Sequence, residues 1–284
     1  MLDEDPIGGD GPHLPDFADP PVVEVALGIQ FDPIDRLTPP LFGLLWSRYR
    51  DRYPDLQVHE ARSAGVERFG IPSAPAMSLA IEPVDPAAAI RAWFVNETGT
   101  ELIQVQRDRF AFNWRRHVDT ETYPRYPVVR TRFVEHLNTF VAFLNDEGLG
   151  EITPNQCEAT YLNHITRSGV WQEHGEVDKV VTVWENTYSD DFLGPPEDVR
   201  FAARYVLPGT DGEPIGRLRI VLEPGYTSAD RSPIFVLRLT ARGEPEEHSI
   251  QGSLDFLDRA RKWIVRAFAS VTEPTMHQVW GRKI

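Results

Sequence analysis

Cysteine is nearly absent from this chain, and lysine is scarce. There is one cysteine, Cys157, and of 29 basic residues only Lys179, Lys262 and Lys283 are lysine. A lone cysteine excludes an intrachain disulfide and any cysteine-rich metal site, and it suits a reducing cytoplasm, where the protein is expected to reside. The scarcity of lysine reads first as a base-composition bias of the source genome. No apolar run approaches the roughly 18 residues that a membrane-spanning helix needs. The opening residues are acidic and carry no apolar core, so no secretory signal and no membrane association are expected.

The motifs of common chemistries are missing as well. There is no G-x-x-x-x-G-K-[ST] phosphate loop, no G-x-G-x-x-G after a strand, no G-x-S-x-G elbow and no H-E-x-x-H. The eight histidines (13, 59, 117, 136, 164, 174, 248 and 277) form no pair with metal-ligand spacing. No metal, no cofactor and no catalytic residue is therefore assigned, and the reading leans away from an enzyme. The formal net charge of −14 disfavours non-specific nucleic-acid binding, which depends on neutralising phosphates. The 41% hydrophobic and 25% charged fractions are ordinary for a globular protein.

What is present is periodicity. Residues 1–19 carry Asp3, Glu4, Asp5, Asp10, Asp16 and Asp19 without a basic residue, and are expected to be a disordered or loosely docked acidic leader. Val23, Val25, Leu27 and Ile29 alternate as in a strand over 23–31. Thr38-Pro39-Pro40 signals a helix start, with Leu41, Leu44, Leu45, Tyr49 and Tyr53 at helical spacing before Pro54. Residues 57–90 are broken by prolines, with a short edge strand expected over 77–81. A three-strand meander then follows over 92–96, 101–107 and 110–116, and an amphipathic helix carries the stripe Val129, Phe133, Leu137, Phe140, Val141 and Leu144.

The pattern restarts at Pro154-Asn155-Gln156-Cys157-Glu158, which echoes Pro20-Pro21-Val22-Val23-Glu24. A strand over 158–165 follows, then a segment over 176–188 that fits either a short helix or a strand. A second meander (200–207, 216–223, 234–242) leads to a helix from about Ser249 to Val271. The tail over 276–281 is expected to add a strand or pack as an apolar plug. The expected fold is α+β: two tandem β-α-β-meander-α halves, 20–150 and 151–284, sharing one core. Together they would make a curved antiparallel sheet with helices on one face. That order is similar to TATA-binding-protein-like and helix-grip folds, an architectural likeness that carries no function.

Pro20-Pro21-Val22-Val23-Glu24-Val25, Tyr161-Leu162-Asn163-His164-Ile165 and His277-Gln278-Val279-Trp280-Gly281 together resemble a sporadically distributed family of uncharacterised bacterial proteins. Its members open with a Pro-x-x-Glu-Val strand, and the likeness runs over nearly the whole chain from Pro20. The resemblance implies the patchy distribution of mobile or defence-linked genes; a protein partner encoded nearby is a separate expectation. It implies no activity, cofactor or catalytic residue.

Arginine is the most suggestive residue type. Arg200, Arg204, Arg217, Arg219, Arg238 and Arg242 all have the parity opposite to the apolar positions of the second meander, so they should share its open face. The first meander offers Gln104, Gln106, Asn113 and Arg115. Seven arginines face three acids between residues 107 and 132, a local excess of four positive charges. Such a surface is either a solvated face balanced by Glu223 and Glu244, or an anion receptor built from guanidinium forks. Asn163 and His164 could line a pocket at the join between the halves, although a satisfied turn is the favoured account of them. Cys157 and His164 would lie about 23 Å apart on one strand and face opposite sides, which favours a buried structural thiol.

The leading expectation is thus a binding protein of a bacterial accessory system, defence- or toxin–antitoxin-like, that uses the arginine-rich face or the seam between halves. A nucleic-acid or nucleotide module using the same arginines is one alternative. A small-ligand binder or enzyme with a helix–sheet pocket, worked by Glu24, Glu158 or His164, is another. Docking of the acidic leader on the arginines is a further expectation.

Overall fold

A computed structural model describes residues 13–63, 65–70, 90–118, 121–188 and 192–283. Among these described residues nine strands form a single antiparallel sheet: β1 (Val22–Phe31), β2 (Asp55–Glu60), β3 (Ile90–Val95), β4 (Glu101–Gln106), β5 (Arg109–Arg115), β6 (Pro154–Thr166), β7 (Phe201–Pro208), β8 (Pro214–Tyr226) and β9 (Pro233–Gly243). Their spatial order is β2-β3-β4-β5-β1-β6-β9-β8-β7. The helices are α1 (Pro39–Trp46), α2 (Tyr126–Asp146), α3 (Ile250–Val271) and α4 (Pro274–Val279). None of them is long and apolar enough to cross a membrane.

Alternation decides which face is dry. On β1 the odd positions Val25, Leu27, Ile29 and Phe31 are buried, and on β5 Phe110, Phe112 and Trp114 are. The register sets Val25 beside Trp114 and Tyr161, and Leu27 beside Phe112 and Ala159, so these side chains share one face. Under them lies α2, with Phe110 stacked on Phe140 at 5.3 Å between ring centres. Farther along the same face α3 covers β6 and β9. Ser249 caps α3, its side chain accepting from the Gly252 amide at 2.9 Å.

The two long helices are tied by a buried charge. Asp258 of α3 is only 8% exposed. Its Oδ1 accepts from the Tyr126 hydroxyl and from Arg130 Nε of α2, each at 2.7 Å. At the β8–β9 pairing, Gly216 faces Gly243. A Cβ on Gly216 would stand 2.6 Å from the Arg242 carbonyl oxygen, so the backbones approach there as only glycine allows.

Several expectations need correction. The helix read up to Pro54 closes at Trp46, and the chain runs on in irregular helical turns that still bury Tyr49 and Tyr53. The Thr38 hydroxyl makes no capping bond, leaving Pro39 at the first turn as the start signal that acts. The edge strand expected over 77–81 lies outside the described residues. Among the described residues the edge on that side is β2, whose polar Asp55, Gln57 and His59 mask its alternation. The 176–188 segment opens in a short 3-10 helix over His174–Lys179 and continues as irregular chain, not as a strand. The tail is the short helix α4, and Met276, His277 and Trp280 plug the end of the core.

Of the acidic leader, the structure describes residues 13–19. Residues 13–19 are docked, with Phe17 only 4% exposed against Phe268, His277 and Trp280. Asp16 pairs with Arg125 and Lys283. This docking site is on the helix side, away from the arginine face.

Asp258 makes a direct prediction. Asp258→Ala strands the Tyr126 hydroxyl and the Arg130 guanidinium, and should cost roughly 2–4 kcal/mol. The triple change Asp258→Leu, Tyr126→Phe, Arg130→Met should recover most of that loss. Urea unfolding of the three proteins checks it, and a neutral Asp258→Ala would refute the clamp.

Candidate functional site

The opposite, open face of the sheet holds a cleft of about 610 Å³, lined from Trp93 on β3 to Arg219 and Val221 on β8. Register explains its shape. Ala111, Gly28 and Ala26 lie at the centre, so the floor is cut down to small side chains. A Cβ on Gly28 would meet the Ala111 methyl at 3.2 Å, which would tighten that floor. Longer polar residues surround it.

Two polar systems cross the face. The first is a directed chain of hydrogen bonds over four strands. Arg91 Nη1 donates to Gln104 Oε1 (3.2 Å), Gln104 Nε2 donates to Asn113 Oδ1 (2.8 Å), and Asn113 Nδ2 donates to Glu24 Oε1 (2.5 Å). Beginning on a guanidinium and ending on a carboxylate, the chain gives each amide one orientation. Arg115 stands beside it, its Nε donating to the Gly99 carbonyl at 2.6 Å.

The second system is a strap. The described residues between 61 and 70 run across the face at the end where Gln106, Arg109, Gln30 and Gln156 stand in register. Gln106, Gln30 and Gln156 accept from the strap amides of Arg62, Gly65 and Glu67 at 2.9, 3.2 and 3.2 Å. Arginines take the carbonyls: Arg242 reaches Gly65 O at 2.5 Å, and Arg217 reaches Arg68 O at 2.6 Å. Glu67, with its side chain 5% exposed, is gripped by Arg217 (2.6 Å) and by Arg219. Arg217 also lies over the Phe69 ring at 4.4 Å. Arg109 and Arg242 both donate to Gln30 Oε1. Burial first, and then the Arg242 charge, hold Arg109 below its ordinary value.

The arginines expected on one face divide into groups. Arg115, Arg219, Arg238 and Arg242 line the cleft, while Arg217 holds the strap. Arg204 is on the same face opposite Arg219 but outside the cleft lining. Arg200 lies just before β7, exposed, at 3.8 Å from Asp198. Arg238 is exposed and makes no hydrogen bond or ion pair among the described residues. The charge balance expected from Glu223 and Glu244 is supplied on this face by Glu67 and by Glu158, which lies 3.8 Å from Arg242.

Asn163 and His164 do not form a pair. Asn163 points to the helix side, 1% exposed, its Nδ2 donating to the Leu237 carbonyl at 3.0 Å. His164 faces the other way, with its pKa lowered by burial and then by Arg116. Cys157 is on the helix side, and burial pushes its thiol up to about 12. A smaller cavity of about 100 Å³ lies on the helix side between Phe17, Tyr123, Tyr161 and Phe268.

A third cluster looks like an active site but is packed shut. The Tyr53 hydroxyl donates to Glu101 Oε2 (2.8 Å) and meets His136 Nε2 at 2.7 Å. Glu101, 4% exposed, also pairs with Arg52 and Arg132. Burial first, and then Arg52 and Arg132, lower the His136 pKa from 6.5 to about 4. The imidazole is therefore neutral at pH 7 and, with the Tyr53 proton on Glu101, donates from Nε2. Among the described residues no group of His, Cys, Asp and Glu is arranged to hold a metal ion.

Neither a protein-family model, nor a curated protein, nor a solved structure matches this chain. The site is therefore read from its own geometry. Glu67 and its strap were not anticipated, because a single carboxylate in an aperiodic stretch between two glycines carries no pattern.

His136 sets a pH dependence. Its folded pKa lies below its unfolded one, so between about pH 6.5 and 4 the unfolded chain binds more protons and stability falls as pH falls. His136→Gln removes that titration. From pH 7 to pH 4, wild type should lose roughly 2–3 kcal/mol more than the variant in urea titrations. Equal losses would remove His136 from the account.

Proposed function

We propose that this chain is a binding protein whose open sheet face receives an anionic partner. In line with the resemblance in its sequence motifs, we place it in a bacterial accessory system of the defence- or toxin–antitoxin-like kind, with that partner encoded nearby. One observation carries the reading. Glu67, a carboxylate of the chain itself, is held almost fully buried between Arg217 and Arg219, so this surface has the chemistry of a carboxylate receptor. Arg238 and Arg115 extend the cationic rim beyond the strap. The same proposal treats the halves as copies of one unit, since β1 and β6 each head a half, β5 and β9 flank them, and α2 and α3 close each half. The likeness to TATA-binding-protein-like or helix-grip folds is an analogy of architecture.

A small anionic ligand in the same cleft is the second reading. Its support is the 610 Å³ volume, inside the range of roughly 300–1,000 Å³ typical of ligand pockets. That cleft is on the open face, not between helix and sheet. A nucleic acid would use the same arginines and is disfavoured by the net charge of −14.

The test uses a fluorescein-labelled deca-glutamate peptide and a single-stranded DNA of ten nucleotides, with wild type and Arg238→Glu. The exposed Arg238 side chain makes no hydrogen bond or ion pair among the described residues, so the variant should unfold at the wild-type temperature. Its affinity for the peptide should fall about tenfold or more, equivalent to about 1.4 kcal/mol. Unchanged affinity would sink the proposal. Tighter binding of the DNA, with a steep fall as salt rises, would favour the nucleic-acid reading instead.

A further inference from the structure

Resting on the anion-receptor reading, we infer that the strap between residues 61 and 70 is a built-in stand-in for the partner, and that the partner is an extended, acidic peptide segment. The strap's contacts specify that class. Its backbone amides are read by three glutamines on three different strands, Gln106, Gln30 and Gln156. Its carbonyls are read by Arg242 and Arg217. All of these partners are side chains, and no backbone-to-backbone hydrogen bond joins the strap to the sheet among the described residues. Side chains that grip main-chain groups accept any extended peptide, whereas the Arg217–Arg219 pair selects for a carboxylate.

The manner of attachment also suits exchange. A tenth strand would be locked by a ladder and would leave only with the sheet. This segment is fastened by long polar side chains, with Phe69 under Arg217 as an apolar contact, and Val66 faces solvent. A segment held in that way opens at lower cost than the strands beneath it. A second acidic peptide entering from the cleft, where Arg238 and Arg115 stand, can take over the same donors and acceptors one by one. Glu67 is then a competitor for the site, and its removal should strengthen binding in trans.

Glu67→Ala and wild type are titrated with the labelled deca-glutamate peptide. The variant should bind about tenfold tighter, with Glu67→Gln intermediate. A second measurement uses unmodified protein. Arg62 and Arg68 are the trypsin sites between Arg52 and Arg91, so cleavage after them reports release of the strap. Saturating peptide should speed that cleavage at least severalfold. Equal affinity for wild type and Glu67→Ala, with Arg238→Glu still weakened, would make the strap a fixed wall and overturn this inference alone. Peptide that binds without changing the cleavage rate would overturn it as well. No binding to any of the proteins would overturn both the inference and the anion-receptor reading.

Discussion

The antiparallel pairing of β1 with β6 is the interaction on which everything else depends. It joins two arrays of strands that are each consecutive in the chain, and does so at the centre of the sheet. Its register sets Leu27 beside Ala159 and Ile29 beside Cys157 on one side, and Gly28 beside Glu158 and Ala26 beside Thr160 on the other. A slip of one residue would exchange those sets and turn an apolar row to solvent. The large side chains on the helix side therefore hold the register, and the small ones on the open side hollow out the cleft.

Polar groups are treated differently on the two faces. On the helix side charges are few and closed: Asp258 clamps α2 to α3, and Glu101 is surrounded by Arg52, Arg132 and Tyr53. Each is satisfied within the protein, as buried charge must be. On the open side the amides and guanidiniums form a surface with more donors than its own strands can use. The strap takes up part of that capacity, and among the described residues Arg238 leaves part of it unfilled. A surplus of directed donors on a concave surface is what makes this face, and not the helix side, the place for a partner.

Much of the architecture was legible in the residues. Alternation marked β1, both meanders and β6, and the stripes Val129–Phe133–Leu137–Phe140 and Ile250–Leu254–Leu257–Ile264 marked the two long helices. These patterns are legible because burial of one face imposes a period on the chain. β2 was missed because an edge strand buries little and tolerates Asp55, Gln57 and His59. The burial of Phe17 has no periodic signal, because its acidic, proline-rich neighbourhood outweighs one aromatic ring in any average over composition. The parity of the arginines was readable, and it put Arg217, Arg219, Arg238 and Arg242 on one face, as the pairing of β8 with β9 bears out.

By itself the sequence determined which side chains face which way along each strand, because parity is a property of neighbours in the chain. Only the tertiary structure decided what those side chains meet. Asn163 and His164 are adjacent in sequence and end on opposite faces, one bonded to a backbone carbonyl and the other beside Arg116. Glu67 lies 150 residues from Arg217, and nothing local to either foretells their pairing. Contacts between distant segments depend on how the sheet is assembled, and that is where the candidate site was made.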